Sequence, residues 1–200
     1  PVSVLQHPDG TQERFPHLVT DRAKPGVIAV NQHAVRFVNE SNSYHHFASA
    51  MQSQPENAPC FLICDALAMK RYGLGLARPA PVNNDALIEA GYLHKADSLA
   101  RLAQQLGLDA QALAGTVARY NRDAAQGEDP QFAKGGNSYN RAMGDPGHQP
   151  NACNAPLLKA PFYAITLYTG DLGTSRGLVT SENAQVLNQQ RQPIQGLYAV

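Results

Sequence analysis

Arg36-Phe37-Val38-Asn39-Glu40-Ser41-Asn42-Ser43-Tyr44-His45-His46-Phe47 is the stretch whose reading decides the rest of the chain. Val35 and Phe37 alternate with Arg36 and Asn39, and Ile28 and Val30 precede them, which predicts a strand. Asn39 to Ser43 is a polar run whose side chains can bond their own backbone, so it reads as a turn. Ser43 is placed to cap a helix in which Tyr44, Phe47, Ala48 and Met51 share a face, and which should fade by Pro55. Tyr44 falls in the first helical turn, where free backbone N–H groups can stabilise an oxyanion.

Upstream, Asp9-Gly10 predicts a hairpin between Val2–Leu5 and Glu13–Phe15, and Pro25-Gly26 a turn into Val27–Val30. Downstream, Cys60–Cys64 reads as a buried strand, and Asp65 as the cap of a short helix through Lys70 and Tyr72. Residues 73–84 are loop, Asp85–Ala90 a short helix and Tyr92-Leu93 a brief extended piece. Two amphipathic helices follow. Asp97 or Ser98 caps the first, with Leu99, Leu102, Ala103 and Leu106 on its face and Gly107 at its end. Asp109 caps the second, with Leu113, Val117 and Tyr120 as its stripe. Residues 127–160 are irregular and read as an ordered surface excursion or a lid. Phe162–Tyr168 is a strand, 177–187 a small hairpin region, and Leu197–Val200 an apolar strand.

Lys plus Arg and Asp plus Glu both number 16, so no net field draws the chain to nucleic acid or an anionic membrane. No apolar run approaches a membrane span and no signal peptide is visible. The three cysteines form no disulfide framework; Cys60 and Cys64 read as inert buried thiols, Cys153 lies in a polar loop, and a reducing cytoplasm is expected. His45 and His46 point to different sides of a helix and do not chelate together, so no metal is expected. Glu40 is read as the structural partner of Arg36, and Asp65 as a helix cap. The chain opens on Pro1 and closes on an apolar strand, so more polypeptide is expected on both sides.

Arg36–Glu40 followed by Ser43-Tyr44, then Asp65-Ala66-Leu67, Thr116–Asn121, Pro161–Ala164, Gly170–Thr174 and Gly196–Ala199, resembles the substrate domain of flavoproteins related to 3-ketosteroid Δ1-dehydrogenase and fumarate reductase. The resemblance implies an α+β fold: a substrate (cap) domain over residues 1–156, then a truncated return into the FAD-binding domain over 157–200. It implies an FAD-dependent oxidoreductase that desaturates or reduces a carbon–carbon bond next to a carbonyl. Tyr44 stands where the ketosteroid enzymes keep a base and the fumarate reductases an arginine. Leu172 and Gly173 stand where the fumarate reductases hold a pair of dicarboxylate-binding histidines, so Leu172, Gly173 and Thr174 are implied to bind a small apolar carbonyl substrate such as a steroid. Arg176 replaces a glycine of the resembled pattern and is either solvated or set to bind an anionic group. A fumarate reductase-like enzyme acting on another small unsaturated acid is the alternative within flavoproteins. A non-catalytic binding module, with Tyr44 packed in the core, is the alternative outside them.

Gly73-Leu74-Gly75 is the nearest approach to a Gly-x-Gly-x-x-Gly dinucleotide fingerprint and lacks the third glycine. FAD is therefore expected to be held by the rest of the same polypeptide. Purified alone and mixed with FAD, the chain should emerge from gel filtration without flavin absorbance. Stoichiometric retention would contradict this reading.

Overall fold

Cys60-Phe61-Leu62-Ile63-Cys64 forms the strand expected of it, wholly buried, and helices pack on both of its faces. The computed structural model describes residues 1–170 and 177–199. The chain divides into two units, Pro1–Gly170 and Asp171–Val200. In the first, the elements are β1 (Val2–Gln6), β2 (Gln12–Pro16), β3 (Val27–Val30), α1 (Tyr44–Ser53), β4 (Cys60–Cys64), α2 (Ala66–Tyr72), α3 (Asp85–Glu89), β5 (His94–Ala96), α4 (Leu99–Leu106), α5 (Ala110–Ala124), α6 (Ser138–Met143) and β6 (Phe162–Leu167). The second holds β7 (Gln185–Leu187) paired antiparallel with β8 (Pro193–Tyr198), and Leu178, Val179 and Tyr198 in it are exposed.

The central sheet is antiparallel in the order β3-β4-β6-β5. Strand periodicity splits its side chains into two cores. Val27, Ala29, Cys60, Leu62, Cys64 and Ile165 meet Phe47 and Met51 of α1 and Ala68 and Met69 of α2. Ile28, Val30, Phe61, Ile63 and Ala164 meet Leu102 and Ala103 of α4 and Leu113, Val117 and Tyr120 of α5. The expected caps are in place. Ser43 accepts from His46 N, Asp65 from Leu67 N and Ala68 N, Ser98 from Arg101 N and Asp109 from Ala112 N, while Gly107 closes α4 in the left-handed region. Asp65 does more than cap. Its second oxygen accepts from Leu158 N and Lys159 N, tying the approach to β6 onto α2.

Arg36 to Asn39 are not a strand. Asn31 Oδ1 accepts from His33 N and Val35 N and turns the chain out of the sheet immediately after β3. Arg36 is then buried, with Nε and Nη2 on Glu40 and Nη1 and Nη2 on Asp129, at 2.8–2.9 Å. Its guanidinium lies over the rings of Tyr120 and Phe132. The exposed edge of β3 is closed by side chains instead of a strand. Glu40 Oε1 accepts from Ala29 N at 3.0 Å, and Lys134 Nζ donates to Val27 O. Residues 127–160 are accordingly more than a surface excursion, because they bring Asp129 and Lys134 into this buried cluster.

Two further boundaries move. The extended piece expected at Tyr92-Leu93 pairs as His94–Ala96, and the last strand begins at Pro193 rather than Leu197. The first unit also runs past residue 156 to Gly170, because β6 sits between β4 and β5 and cannot be separated from the sheet.

Burial works against the charge on Glu40 and Asp129, but Arg36 and, for Glu40, Lys134 hold both carboxyls below their ordinary values of 4.5 and 3.8. Depressed carboxyls stabilise the fold fully above those values and lose that contribution as pH falls through and below them. Urea titrations should therefore show stability falling below pH 4.5. Glu40→Ala, which strands Arg36 beside a single carboxylate and leaves Ala29 N unpaired, should cost about 3–5 kcal/mol at neutral pH and flatten that acid dependence.

Candidate active site

Tyr44 is the first residue of α1, and the backbone places it facing out. It is 44% exposed, whereas Phe47 and Met51, one and two turns on, are fully buried. The core-packed tyrosine of the binding-module alternative is thus not what this fold contains. Among the described residues, the Tyr44 hydroxyl makes no hydrogen bond. The turn that delivers it is built as its sequence suggests. Asn42 N donates to Asn39 O, Ser41 N to Asn39 Oδ1 and His46 N to Ser43 Oγ. Two side chains from elsewhere also hold this turn, Arg22 and Asn140, and neither stands out in the sequence. Arg22 is fully buried, and its pKa is lowered to about 10, chiefly by burial, which leaves it charged at neutral pH.

Leu172, Gly173, Thr174 and Arg176 lie outside the described residues. His45 and His46 are both exposed on the first turn of α1. Among the described residues no three His, Cys, Asp or Glu side chains are grouped to hold a metal ion, and no helix is long and apolar enough to cross a membrane.

Gly73–Ala77 can be tested against the needs of a dinucleotide, whose pyrophosphate takes free N–H groups at a helix start. Here four of the five N–H groups from Gly73 to Ala77 are spent. Gly73 N donates to Met69 O, Leu74 N and Ala77 N to each other's carbonyls, and Leu76 N to Tyr92 Oη. Gly75, at φ +59°, has no room for a Cβ because Tyr92 Oη would lie 2.3 Å away. The glycines serve close packing, and this turn does not fit FAD.

One constellation was not anticipated. Tyr92 Oη lies 2.6 Å from Ser3 Oγ, Ser3 Oγ lies 2.7 Å from His17 Nε2, and His17 Nδ1 bonds Asp21 Oδ2. With Leu76 N donating to Tyr92 Oη, the proton direction is assigned as tyrosine to serine to histidine to carboxylate. The connectivity is that of a hydrolase triad, but Ser3 and His17 are buried and the serine oxygen is shared between two partners, so the relay is structural. A cleft of about 460 Å³ lies along α2, lined by Leu67, Lys70, Arg71, Tyr72 and His148 among others, and Tyr44 is not part of it.

The model of the FAD binding domain family matches residues 1–200. The chain belongs to this family. It is 42% identical to 4-oxocyclohex-2-ene-1-carboxylate 5-dehydrogenase of Sinomonas cyclohexanicum, over 100% of this chain and 34% of that protein. It is 35% identical to 3-oxosteroid 1-dehydrogenase of Mycolicibacterium smegmatis, over 90% of this chain and 33% of that one. The crystal structure of 3-ketosteroid delta1-dehydrogenase from Sterolibacterium denitrificans in complex with 1,4-androstadiene-3,17-dione aligns with a TM-score of 0.87 at 35% identity, over 98% of this chain and 36% of that one. The chain thus spans about a third of the length of the curated relatives it matches. The family model takes in the whole range as FAD binding domain and does not set residues 1–156 apart as a substrate domain.

The three cysteines are free and buried, and burial pushes the Cys60 thiol up to about 12 and raises Cys64 as well. A thiol reagent should modify none of them in the native protein and all three after unfolding. Rapid labelling of any one in the native state would show that its site opens.

Proposed function

We propose that this chain belongs to a flavin-dependent oxidoreductase that introduces, or in reverse reduces, a carbon–carbon double bond beside a ring ketone, with Tyr44 as its acid/base. The observation that carries the reading is the placement of Tyr44: the first residue of α1, outward-facing, its hydroxyl unengaged among the described residues. The similarity to relatives named as dehydrogenases of a cyclohexenone carboxylate and of 3-oxosteroids supports a cyclic ketone as the substrate class. A steroid is the larger member of that class. Leu172, Gly173 and Thr174 are assigned to substrate contact by resemblance.

The chemistry this chain contributes is proton transfer. A carbon next to a carbonyl carries a weakly acidic proton, and Tyr44 Oη takes it, or returns it in the reductive direction. FAD supplies the hydride acceptor, and we place the residues that hold it in the remainder of a longer polypeptide. In this reading the unit through Gly170 is the substrate-facing part, and the segment from Asp171 returns to the flavin-binding part. The buried free thiols accord with a reducing cytoplasm.

Tyr44→Phe in the full-length enzyme is expected to slow single-turnover flavin reduction by on the order of 10²–10⁴-fold, with substrate affinity little changed. The assay uses a 3-oxosteroid and 4-oxocyclohex-2-ene-1-carboxylate in parallel, beside a melting curve. An unchanged rate in a well-folded variant removes Tyr44 from the mechanism.

A further inference from the structure

We propose that Arg22 and Asn140 are positioning residues for this reaction, clamping from two sides the turn that presents Tyr44; the proposal rests on the acid/base reading of that tyrosine. Arg22 is bonded to main-chain carbonyls. Nε donates to His17 O at 3.2 Å, Nη1 to Glu40 O at 2.5 Å, and Nη2 to Leu18 O and, at 3.2 Å, to Asn42 O. Asn140 approaches with Nδ2 on Ser41 O at 3.0 Å and on Asn42 Oδ1 at 3.3 Å, while its Oδ1 accepts from Asn39 Nδ2 at 3.0 Å. The carbonyls of three consecutive residues, Glu40, Ser41 and Asn42, are thus each held from outside the turn. Ser41 Oγ, by contrast, is buried and makes no hydrogen bond among the described residues. Only Ser43 separates this clamped run from Tyr44.

The same guanidinium also reaches beyond Tyr44. Its central carbon lies 4.5 Å from the ring centre of Phe47, one turn further along α1. Arg22 therefore touches the chain both before and after the proposed acid/base. Among the described residues no carboxylate is hydrogen-bonded to Arg22, and a buried cation so placed is costly. The Glu40 carboxylate is already committed to Arg36 and Ala29 N. What arginine supplies at such a place is geometry, a rigid fork of five donors that a single ammonium cannot reproduce. Covering carbonyls would by itself make Arg22 important for stability. Holding both flanks of Tyr44 makes it important for where the hydroxyl stands when the proton moves.

The test is a comparison of Arg22→Lys and Asn140→Ser in the full-length enzyme, each alone and in the Tyr44→Phe background. Single-turnover flavin reduction, KM and hydrogen exchange of the Ser41–Tyr44 amides are the readouts. Each single variant should slow the chemical step by roughly 10- to 100-fold with KM little changed, and should speed exchange across the turn. In the Tyr44→Phe background neither should add a further loss, because the group they position is gone. An unchanged rate in the folded single variants overturns the proposal, and so does an undiminished loss in the Tyr44→Phe background, which would mark a general structural defect. If Tyr44→Phe alone leaves the step unchanged, the acid/base reading fails on its own measurement, and the positioning role fails with it while the exchange data still report whether the clamp exists. If Arg22→Lys does not fold, Asn140→Ser carries the same comparison.

Discussion

The outer edge of β3 presents a carbonyl and an amide that no neighbouring strand meets, and the chain satisfies them with a buried ammonium and a buried carboxylate. Everything around that edge follows from keeping those two charges in place. Glu40 needs Arg36, and Arg36 is divided between Glu40 and Asp129. Asp129 in turn binds Lys134 N and fixes the loop that carries Lys134 back to Val27. Burying any one of these ions alone would be prohibitive, while together they are mutually compensated and hydrogen-bonded. A sheet that would otherwise invite another strand is closed by chemistry that cannot be extended.

That closure and the presentation of Tyr44 are one construction. Glu40 faces β3 with its carboxylate and Arg22 with its carbonyl, and the next residues are already the turn into α1. The helix starts where it does because Ser43 caps it, and it lies on the sheet because Phe47 and Met51 are buried beneath it. Tyr44 is left in that first turn pointing outward, its hydroxyl without a bonded partner among the described residues. The glycine-rich turn of the same unit, Gly73–Ala77, is closed to a pyrophosphate.

The local signals were legible where the partners are close in sequence. Caps such as Asp65 and Ser98, the αL glycine at Gly107 and the apolar stripe of Leu113, Val117 and Tyr120 each depend on a few neighbouring residues, and the reading of them held. Arg36–Asn39 misled because an alternating pattern is also what a buried charged residue between apolar neighbours looks like. What distinguishes the two is Asp129, 93 residues away, which no local window contains. Comparable separations hid the roles of Asn140 and Lys134, whose partners lie across the fold, while Arg22 reaches Glu40 O and Asn42 O over 18 and 20 residues, still outside a local window. The Ser43 cap and the helix start at Tyr44 were legible, but nothing local signalled what holds the preceding turn still. Ser3, His17 and Tyr92 escaped for the same reason, since β1 and β2 bring them together only after the hairpin and sheet have formed.

The position of β6 has a consequence for how the chain is made. It pairs with both β4 and β5, yet it is the last of the sheet's strands to leave the ribosome. At roughly 5–20 residues per second, the stretch of about 100 residues between the end of β4 and the start of β6 takes on the order of 5–20 s to synthesise. Throughout that interval one flank of β4, with its Phe-Leu-Ile centre, has no ladder partner, and β5 has none at all. The nascent chain must carry an unclosed apolar strand for longer than small domains need to fold, a setting in which holdase chaperones and slow codons leave their mark on yield.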